Sequence, residues 1–369
     1  MTKIKVLLVA TEPAVGMVPF VATIINTLSA DGRFDVFALL GESEKLSYSG
    51  IIPINTNISI VKKSKSTFNK FIDKIYYREA IKKMSEIVKQ QSPDVIHFLN
   101  GEYAFANYLS GCNFRPNICL TIHDLIQHER ENLPLKEKII TYIIKSGCAR
   151  FIRQSLYLTT SSRMQCEKLK AIYPQKEIVF SHFPSLVTST IKNGKEQVPE
   201  LKDYDKYILF FGTVDKYKGV DLLIRAFESL DTVNDYKLVI AGKGVDYPTT
   251  SRNVVRLNRF IKDEEVANLF KNATFIVYPY ISATMSGVLS LAYYFRKKVL
   301  LSDVPFFKEN AMPSCTFFKA NDSIDLKEKL ASMLGSSDML FTADYYNELY
   351  SDRVLANDYY QLYSLISKR

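Results

Sequence analysis

A lysine and two glycines lie where the second half of the chain could bind a phosphate group. Gly212 follows an apolar run, and Lys218 and Gly219 come just before the helical pattern Leu222–Leu230. A glycine at such a place lets the backbone approach a ligand, and the free N–H groups of the following helix favour an anion. Lys218 adds a positive point charge suited to phosphate. The segment indicates a phosphate-binding loop, although an ordinary β–α turn with a surface lysine is the alternative interpretation.

A turn rich in hydroxyl groups follows the apolar run that ends at Pro279. Thr284 and Ser286 lie just before Gly287, where a helical pattern that includes Val288 begins. Their hydroxyls, with the backbone N–H groups around Gly287, can form an anion cradle at a helix N-terminus. Capping alone is the alternative, but capping needs one hydroxyl, and this turn has three within six residues.

A weaker signal lies between these two segments. Gly242, Lys243 and Gly244 follow an apolar run without the complete G-x-G-x-x-G pattern of a dinucleotide-binding loop. We include Gly242 among the candidate phosphate contacts. The chain has no Walker A sequence, which argues against a P-loop kinase or ATPase.

The first half of the chain offers His123 as a candidate for chemistry. It ends the apolar run Ile118–His123, but all four histidines lie in or just after such runs, where histidine is often structural. We interpret His97 as structural because it lies inside a run, and His182 as closing its domain. Both interpretations of His123 remain open on these observations.

The candidate site residues must be positioned by the elements around them. The chain contains thirteen short runs rich in Val, Ile, Leu, Phe and Tyr, and longer helical patterns separate these runs. Near-continuous apolar runs are typical of strands buried on both faces, and the alternation of strand and helix predicts doubly wound α/β sheets. In such sheets ligands bind beyond the carboxyl ends of the strands, where the candidate residues lie.

A polar segment divides the pattern in two. The length of 369 residues favours two domains, and the stretch from Ser185 to Lys206 lacks sustained periodicity. We predict one Rossmann-like domain at 1–190, a linker at 191–206 and a second Rossmann-like domain at 207–345. The final helical pattern places Leu355, Tyr359, Leu362 and Ile366 on one apolar stripe.

Most of the net charge of +9 lies in one segment. Residues 61–90 hold nine bases and three acids, with apolar residues among the bases at helical spacing. Such a segment can lie on an anionic membrane or bind phosphate, or its apolar stripe can pack on the core with solvated lysines. The candidates for an acceptor or membrane surface are Lys62, Lys63, Lys65 and Lys70.

Composition excludes several classes. Five scattered cysteines without a C-x-x-C pair argue against a disulfide framework or a structural zinc site. No signal-peptide pattern and no apolar run of about 18 residues occurs, so we expect a cytoplasmic protein without a membrane span. The basic charge is local and lacks a nucleic-acid-reading motif, so we expect no nucleic-acid partner. We interpret the D-x-D pattern Asp203-Tyr204-Asp205 as chance and expect no metal site.

The motifs of the second half resemble the C-terminal domain of glycosyltransferase family 4, whose members have the GT-B fold. The strings that match, in order, are FFG, YKGVDLLIRAF, LVIAGKG, VYPY, ATMSGVLSLAY and KKVLLSD. The resemblance implies two Rossmann-like domains facing across a cleft. It also implies a nucleotide-diphosphate sugar bound by the second domain, an acceptor bound by the first, and a C-terminal helix that crosses back, so that 346–369 completes the first domain.

The resemblance also implies roles for single residues. His123 contacts the donor sugar near its reacting carbon, and Gly16 approaches the sugar or the β-phosphate. The family lysine is present as Lys218, whereas Thr213 stands where the family commonly has an arginine.

The family's pair of glutamates, eight positions apart, is missing. The corresponding positions hold Ala283 and Leu291. Because the second glutamate usually holds the ribose of the nucleotide, the resemblance implies that this chain recognises its donor differently.

We therefore expect a hexosyltransferase of polysaccharide biosynthesis, with a glycan or lipid-linked saccharide as acceptor, at the inner face of the cell membrane. Lys218 and the neighbouring loops stabilise the charge that develops on the leaving diphosphate, and His123 positions the sugar. The resemblance implies retention of configuration, and we expect no metal or other cofactor. A catalytically inactive GT-B scaffold and a sugar-nucleotide epimerase are the alternatives.

Overall fold

A computed structural model describes most of the chain. The described residues are 2–12, 15–43, 47–53, 56–62, 77–102, 105–110, 117–123, 135–204, 206–230, 236–283, 285–335 and 344–367. The candidates Lys63, Lys65, Lys70 and Thr284 lie outside these ranges.

The chain divides into two compact units, the first of which comprises Met1–Pro184 and Asp352–Arg369. Its seven parallel strands have the order β3-β2-β1-β4-β5-β6-β7. The strands are β1 (Ile4–Ala10), β2 (Phe34–Glu42), β3 (Asn57–Lys62), β4 (Val95–Phe98), β5 (Ile118–Thr121), β6 (Tyr157–Thr160) and β7 (Glu177–Phe180). The helices are α1 (Val18–Ala30), α2 (Arg78–Gln91), α3 (Phe105–Ser110), α4 (Leu135–Gln154), α5 (Arg163–Ile172) and, after the second unit, α13 (Asp352–Ser367).

The second unit comprises Ser185–Ser351 and has a six-stranded parallel sheet of order β10-β9-β8-β11-β12-β13. Its strands are β8 (Tyr207–Phe211), β9 (Lys237–Ala241), β10 (Val254–Leu257), β11 (Ala273–Tyr278), β12 (Lys298–Ser302) and β13 (Thr316–Phe318). The helices are α6 (Ser189–Asn193), α7 (Val220–Glu228), α8 (Asp263–Asn272), α9 (Val288–Tyr294), α10 (Pro305–Asn310), α11 (Ser323–Leu334) and α12 (Tyr345–Tyr350).

Both sheets are doubly wound, as predicted, and each of the thirteen apolar runs overlaps one strand. Strand β1 shows why the runs are continuous: Val6 and Leu8 pack into one core, whereas Leu7 and Val9 pack into the core on the opposite face. The strand order reverses between β1 and β4 in the first sheet and between β8 and β11 in the second. Ligands of open α/β sheets bind at such switch points, beyond the carboxyl ends of the strands.

Helix α13 completes the first unit. Its predicted apolar stripe is buried in the same core as β1 and α1. The unit begins again at Asp352 and not at residue 346, because Tyr350 of α12 packs in the core of the second unit.

The predicted linker at 191–206 instead belongs to the second unit, which begins at Ser185. Val187, Ile191, Val198 and Leu201 are buried in its core. The backbone N–H of Glu196 also donates to the carbonyl oxygen of Glu264 at 3.1 Å. These contacts correct the boundaries predicted for both domains.

The described part of the basic segment comprises the end of β3 and most of helix α2, which packs on the first unit. Ala80 and Met84 of α2 are buried, and Lys83 Nζ donates to the carbonyl oxygen of Ile60. Lys62 is exposed at the end of β3, and residues 63–76 lie outside the described ranges. None of the described helices is both long enough and apolar enough to cross a membrane.

Candidate functional site

The loop that carries Lys218 is fixed against the end of β11. Residues Lys216–Lys218 form a 3₁₀ turn, and Gly219 follows with a φ of 64°, a left-handed conformation that favours glycine. A Cβ atom on Gly219 would lie 2.1 Å from the carbonyl oxygen of Pro279. The backbone N–H of Ile281 donates to the carbonyl oxygen of Tyr217 at 2.7 Å. The switch point between β8 and β11 thus holds this loop in place.

The Lys218 ammonium is buried and faces aromatic rings. Its residue is 6% exposed, and Nζ lies 5.2 Å from the ring centroid of Tyr280 and 5.8 Å from that of Tyr217. Burial lowers the pKa of Lys218, while Tyr217 and Asp215 act in the opposite direction. Among the described residues no carboxylate forms an ion pair with Nζ. The buried ammonium is therefore available to bind an anion.

Gly212 and Val288 lie beside this ammonium. Gly212 has a φ of 132°, and a Cβ atom on it would lie 3.2 Å from Lys218 Nζ and 3.9 Å from Val288 Cγ1. Three predicted phosphate-site residues are thus brought together around one point at the carboxyl end of β8.

Close backbone packing explains why residue 242 is a glycine. A Cβ atom on it would lie 2.0 Å from the carbonyl oxygen of Gly212, and its φ is 148°. Its N–H donates to the carbonyl oxygen of Leu257, and the Gly212 N–H donates to that of Ala241. Because both N–H groups donate within the sheet, neither is available to a phosphate group. Gly242 instead lets the backbone pack closely behind Gly212.

The turn before α9 carries Ser286 and Gly287 of the predicted cradle. Gly287 is the N-cap of α9 without a capping side chain, so Ser286 does not act as an ordinary cap. Burial raises the pKa of the Tyr280 hydroxyl, and the Ser286 side chain has a smaller, opposite effect on it. Thr213 is exposed, and Thr284 lies outside the described residues.

His123 lies beyond the carboxyl end of β5 in the first unit. Its Nε2–H donates to the carbonyl oxygen of Leu99 at 2.7 Å, and its ring packs edge-on against Phe20 at 4.8 Å between centroids. Gln165 Nε2 donates to the His123 carbonyl oxygen at 3.1 Å. The imidazole is therefore held in one orientation at an edge of the sheet where ligands bind.

The two histidines interpreted as structural have protein partners. His97 bonds to the hydroxyls of Tyr363 and Thr121, and burial lowers its pKa to about 3, so its ring is neutral. His182 Nδ1 lies 2.7 Å from Asp358 Oδ2 on α13.

Gly16 lies in a 3₁₀ turn before α1, and nothing lies within 4 Å of a Cβ atom added to it. The packing of the protein therefore does not require glycine at this position.

Sequence reasoning missed Glu102, a residue that is 1% exposed at the switch point of the first sheet. Its Oε1 accepts hydrogen bonds from the N–H groups of Thr11 at 2.7 Å and Glu12 at 3.0 Å, and its Oε2 accepts one from the Thr11 hydroxyl. Burial raises its pKa to about 7. The sequence did contain a signal for it, because Glu102 comes three residues after the apolar run that ends at Leu99, at the end of a predicted strand.

Comparison with known families agrees with this geometry. Residues 192–348 match the family described as Glycosyl transferases group 1, and this range covers most of the second unit, including Gly212 and Lys218. The chain is a glycosyltransferase of the GT-B fold. The prediction of a GT-B glycosyltransferase is confirmed. No curated protein sequence matches this glycosyltransferase significantly.

Solved structures share the fold over the whole length. Sucrose-phosphate synthase from Thermosynechococcus elongatus is 13% identical, with 99% of each chain covered and a TM-score of 0.69. The Anabaena protein HepE, solved with UDP and glucose, is 11% identical over 98% of this glycosyltransferase and 99% of that chain, with a TM-score of 0.66. A UDP-N-acetylglucosamine 2-epimerase is 12% identical over 100% and 98%, with a TM-score of 0.58. The fold is thus shared with an epimerase, so the fold alone does not distinguish the two activities. The match of residues 192–348 to a glycosyltransferase family supports glycosyl transfer.

Proposed function

We propose that this glycosyltransferase moves a sugar from a nucleotide-diphosphate sugar to a hydroxyl of a glycan or lipid-linked saccharide. The buried Lys218 ammonium at the switch point between β8 and β11, without a carboxylate partner among the described residues, carries the proposal. An ammonium in this setting binds an anion strongly, because little water competes for its charge.

In the proposed reaction, the bond between the anomeric carbon and the β-phosphate oxygen breaks and a bond from that carbon to the acceptor oxygen forms. The acceptor hydroxyl loses its proton to the leaving diphosphate. Negative charge therefore grows on the diphosphate in the transition state, where Lys218 stabilises it without moving. Retention of configuration and the contact between His123 and the donor sugar are further parts of the proposal and rest on the family resemblance.

We further propose that the reaction needs no metal or other cofactor, since Lys218 supplies positive charge to the diphosphate. The transfer rate should then be the same in EDTA as in magnesium. A rate that falls in EDTA and recovers with magnesium would contradict this part.

A lipid-linked acceptor would place the protein at the inner face of the membrane, through the basic segment 61–90. Alanine at the four lysines predicted for this surface should weaken binding to anionic vesicles. The matched control replaces four exposed lysines elsewhere, Lys168, Lys170, Lys192 and Lys195. An equal loss in both variants would show a nonspecific effect of charge.

The first test is a thermal-shift screen with UDP, GDP, ADP and CMP and their common sugar conjugates. UDP-glucose is a natural first donor, because HepE was solved with UDP and glucose. A ligand at about 100 times its dissociation constant stabilises by about 2.7 kcal/mol. One nucleotide diphosphate should raise the melting temperature of the wild type and have little effect on Lys218→Met. No shift with any of them would contradict the proposal.

A second candidate function is a binding protein without turnover. Leu291, at the position of the family's second glutamate, is 2% exposed in the core, so this residue offers no contact to a ribose. A protein of this kind would give the same thermal shift but no sugar transfer to any acceptor and no hydrolysis of the donor.

A further inference from the structure

We propose that Tyr280 is a positioning residue whose ring holds the Lys218 ammonium charged and aimed at the donor diphosphate. The inference rests on the proposed function and explains how this chain keeps a bare cation in its site. Tyr280 itself does not contact the donor.

A buried ammonium normally needs a carboxylate partner, because an unpaired buried charge is costly. Among the described residues no carboxylate pairs with Lys218, and Asp215, which acts on it electrostatically, is exposed. A carboxylate partner would neutralise the ammonium and compete with the phosphate for it. Aromatic faces stabilise a cation without neutralising it, so the positive charge stays available to a ligand.

The geometry fits this role. Lys218 Nζ lies 5.2 Å from the Tyr280 ring centroid and 5.8 Å from that of Tyr217, both within the range of about 6 Å for cation–π contacts. The two rings meet edge-on, with centroids 6.0 Å apart and planes at 82°. The ammonium therefore lies within cation–π distance of two rings, and a Cβ atom on Gly212 would lie 3.2 Å from it.

The Tyr280 ring is itself fixed. It is 1% exposed and packs against Phe307, with centroids 5.0 Å apart, and against Tyr278, with centroids 5.9 Å apart. The backbone hydrogen bond from Ile281 to Tyr217 ties its neighbour to the lysine loop. A ring held in this way fixes the end of a flexible lysine side chain.

The test measures the affinity of the full-length protein for inorganic pyrophosphate and for UDP, GDP and ADP by calorimetry. We expect Tyr280→Leu to weaken binding about tenfold, which equals about 1.4 kcal/mol. Tyr280→Phe keeps the ring and should bind within about twofold of the wild type. The Phe variant also controls for packing, and circular dichroism and melting curves check that each variant folds.

A double-mutant cycle separates positioning from structural damage. In the background of Lys218→Met, which removes the charge and keeps much of the volume, Tyr280→Leu should change the remaining affinity by less than about twofold. Equal losses in both backgrounds, or a Phe variant as weak as the Leu variant, overturn the inference. Tyr217→Leu, at a less buried ring, gives a second measurement and should weaken binding only in the presence of Lys218.

The outcomes also distinguish this inference from the proposed function. If the wild type binds neither pyrophosphate nor any of the nucleotides, the proposed function fails and the inference fails with it. If the wild type binds and Lys218→Met binds much more weakly, while Tyr280→Leu binds as tightly as the wild type, the inference alone is wrong.

Discussion

Glu102 is a buried carboxyl group whose charge costs free energy in the folded state. Its pKa is raised from 4.5 to about 7, so the folded protein binds a proton that the unfolded chain has already lost between these values. Stability should therefore fall as the pH rises from about 4.5 to about 7, by up to about 3 kcal/mol, and level off above that range. Urea unfolding at pH 5 and pH 8 should show a smaller fall for Glu102→Gln than for the wild type.

The matched control for this prediction is Glu86→Gln on the exposed face of α2. This variant should keep the pH dependence of the wild type, since it leaves Glu102 and its surroundings unchanged. The prediction is wrong if both variants follow the wild-type curve.

Gly219 and Gly16 together test whether the fold requires glycine at a given position. Gly219→Ala brings Cβ to 2.1 Å from the Pro279 carbonyl oxygen at a φ of 64°, so we expect a loss of about 2 kcal/mol or more and weaker diphosphate binding. Gly16→Ala enters open space and should change stability by less than about 0.5 kcal/mol. Chemical denaturation measures both, and similar losses in the two variants would contradict the argument.

Gly16→Ala also tests the role that the resemblance implies. If the backbone of residue 16 approaches the donor sugar, the alanine should lower kcat/KM while stability stays unchanged. Unchanged turnover would remove Gly16 from the site.

At the scale of elements, the stretch from Ser185 to Lys206 stabilises the second unit by packing against it. Arg259 pairs with both carboxylate oxygens of Glu265 and with Glu200, which ties this stretch to α8. Leu201→Ala should therefore lower the unfolding free energy by about 2–3 kcal/mol, since a large buried side chain is removed. Lys202→Ala, at the exposed neighbouring position, is the control and should have little effect. Equal stabilities would mean that the stretch behaves as a free linker.

The same stretch shows where sequence reasoning stops. Strands were predictable because a parallel strand is buried on both faces, so its hydrophobicity alone reveals it. Val187, Ile191, Val198 and Leu201 are too widely spaced to form a periodic pattern, and only the folded unit shows that they are buried. Glu102 escaped for a related reason, because its desolvation and its bonds to Thr11 join residues 91 positions apart.

The candidate site was predictable to the extent that it depends on local chain order. Gly212, Lys218 and the turn before α9 follow strands β8 and β11, which lie side by side at the switch point. The use of the Gly212 and Gly242 N–H groups within the sheet, and the rings around Lys218, depend on contacts between separate loops. No local pattern reports such contacts.

At the scale of the molecule, two units with separate cores should respond separately to the loss of α13. A chain ending at Ser351 lacks Leu355, Tyr359, Leu362 and Ile366, which are buried in the first unit. We expect hydrogen exchange to become fast throughout the first unit, while the second unit keeps its protection. Because the chain has no tryptophan, exchange followed by mass spectrometry is the suitable measurement. Loss of protection in both units would show that they fold as one.

Helix α13 also imposes an order on synthesis. Domains generally fold as they leave the ribosome, at about 5–20 residues per second. Strand β1 is translated before the second unit, but the helix that covers one face of its sheet is translated only after the whole second unit. The nascent first unit therefore exposes an apolar face while more than 160 further residues are translated. During that time it is a natural client for a chaperone that shields apolar surface.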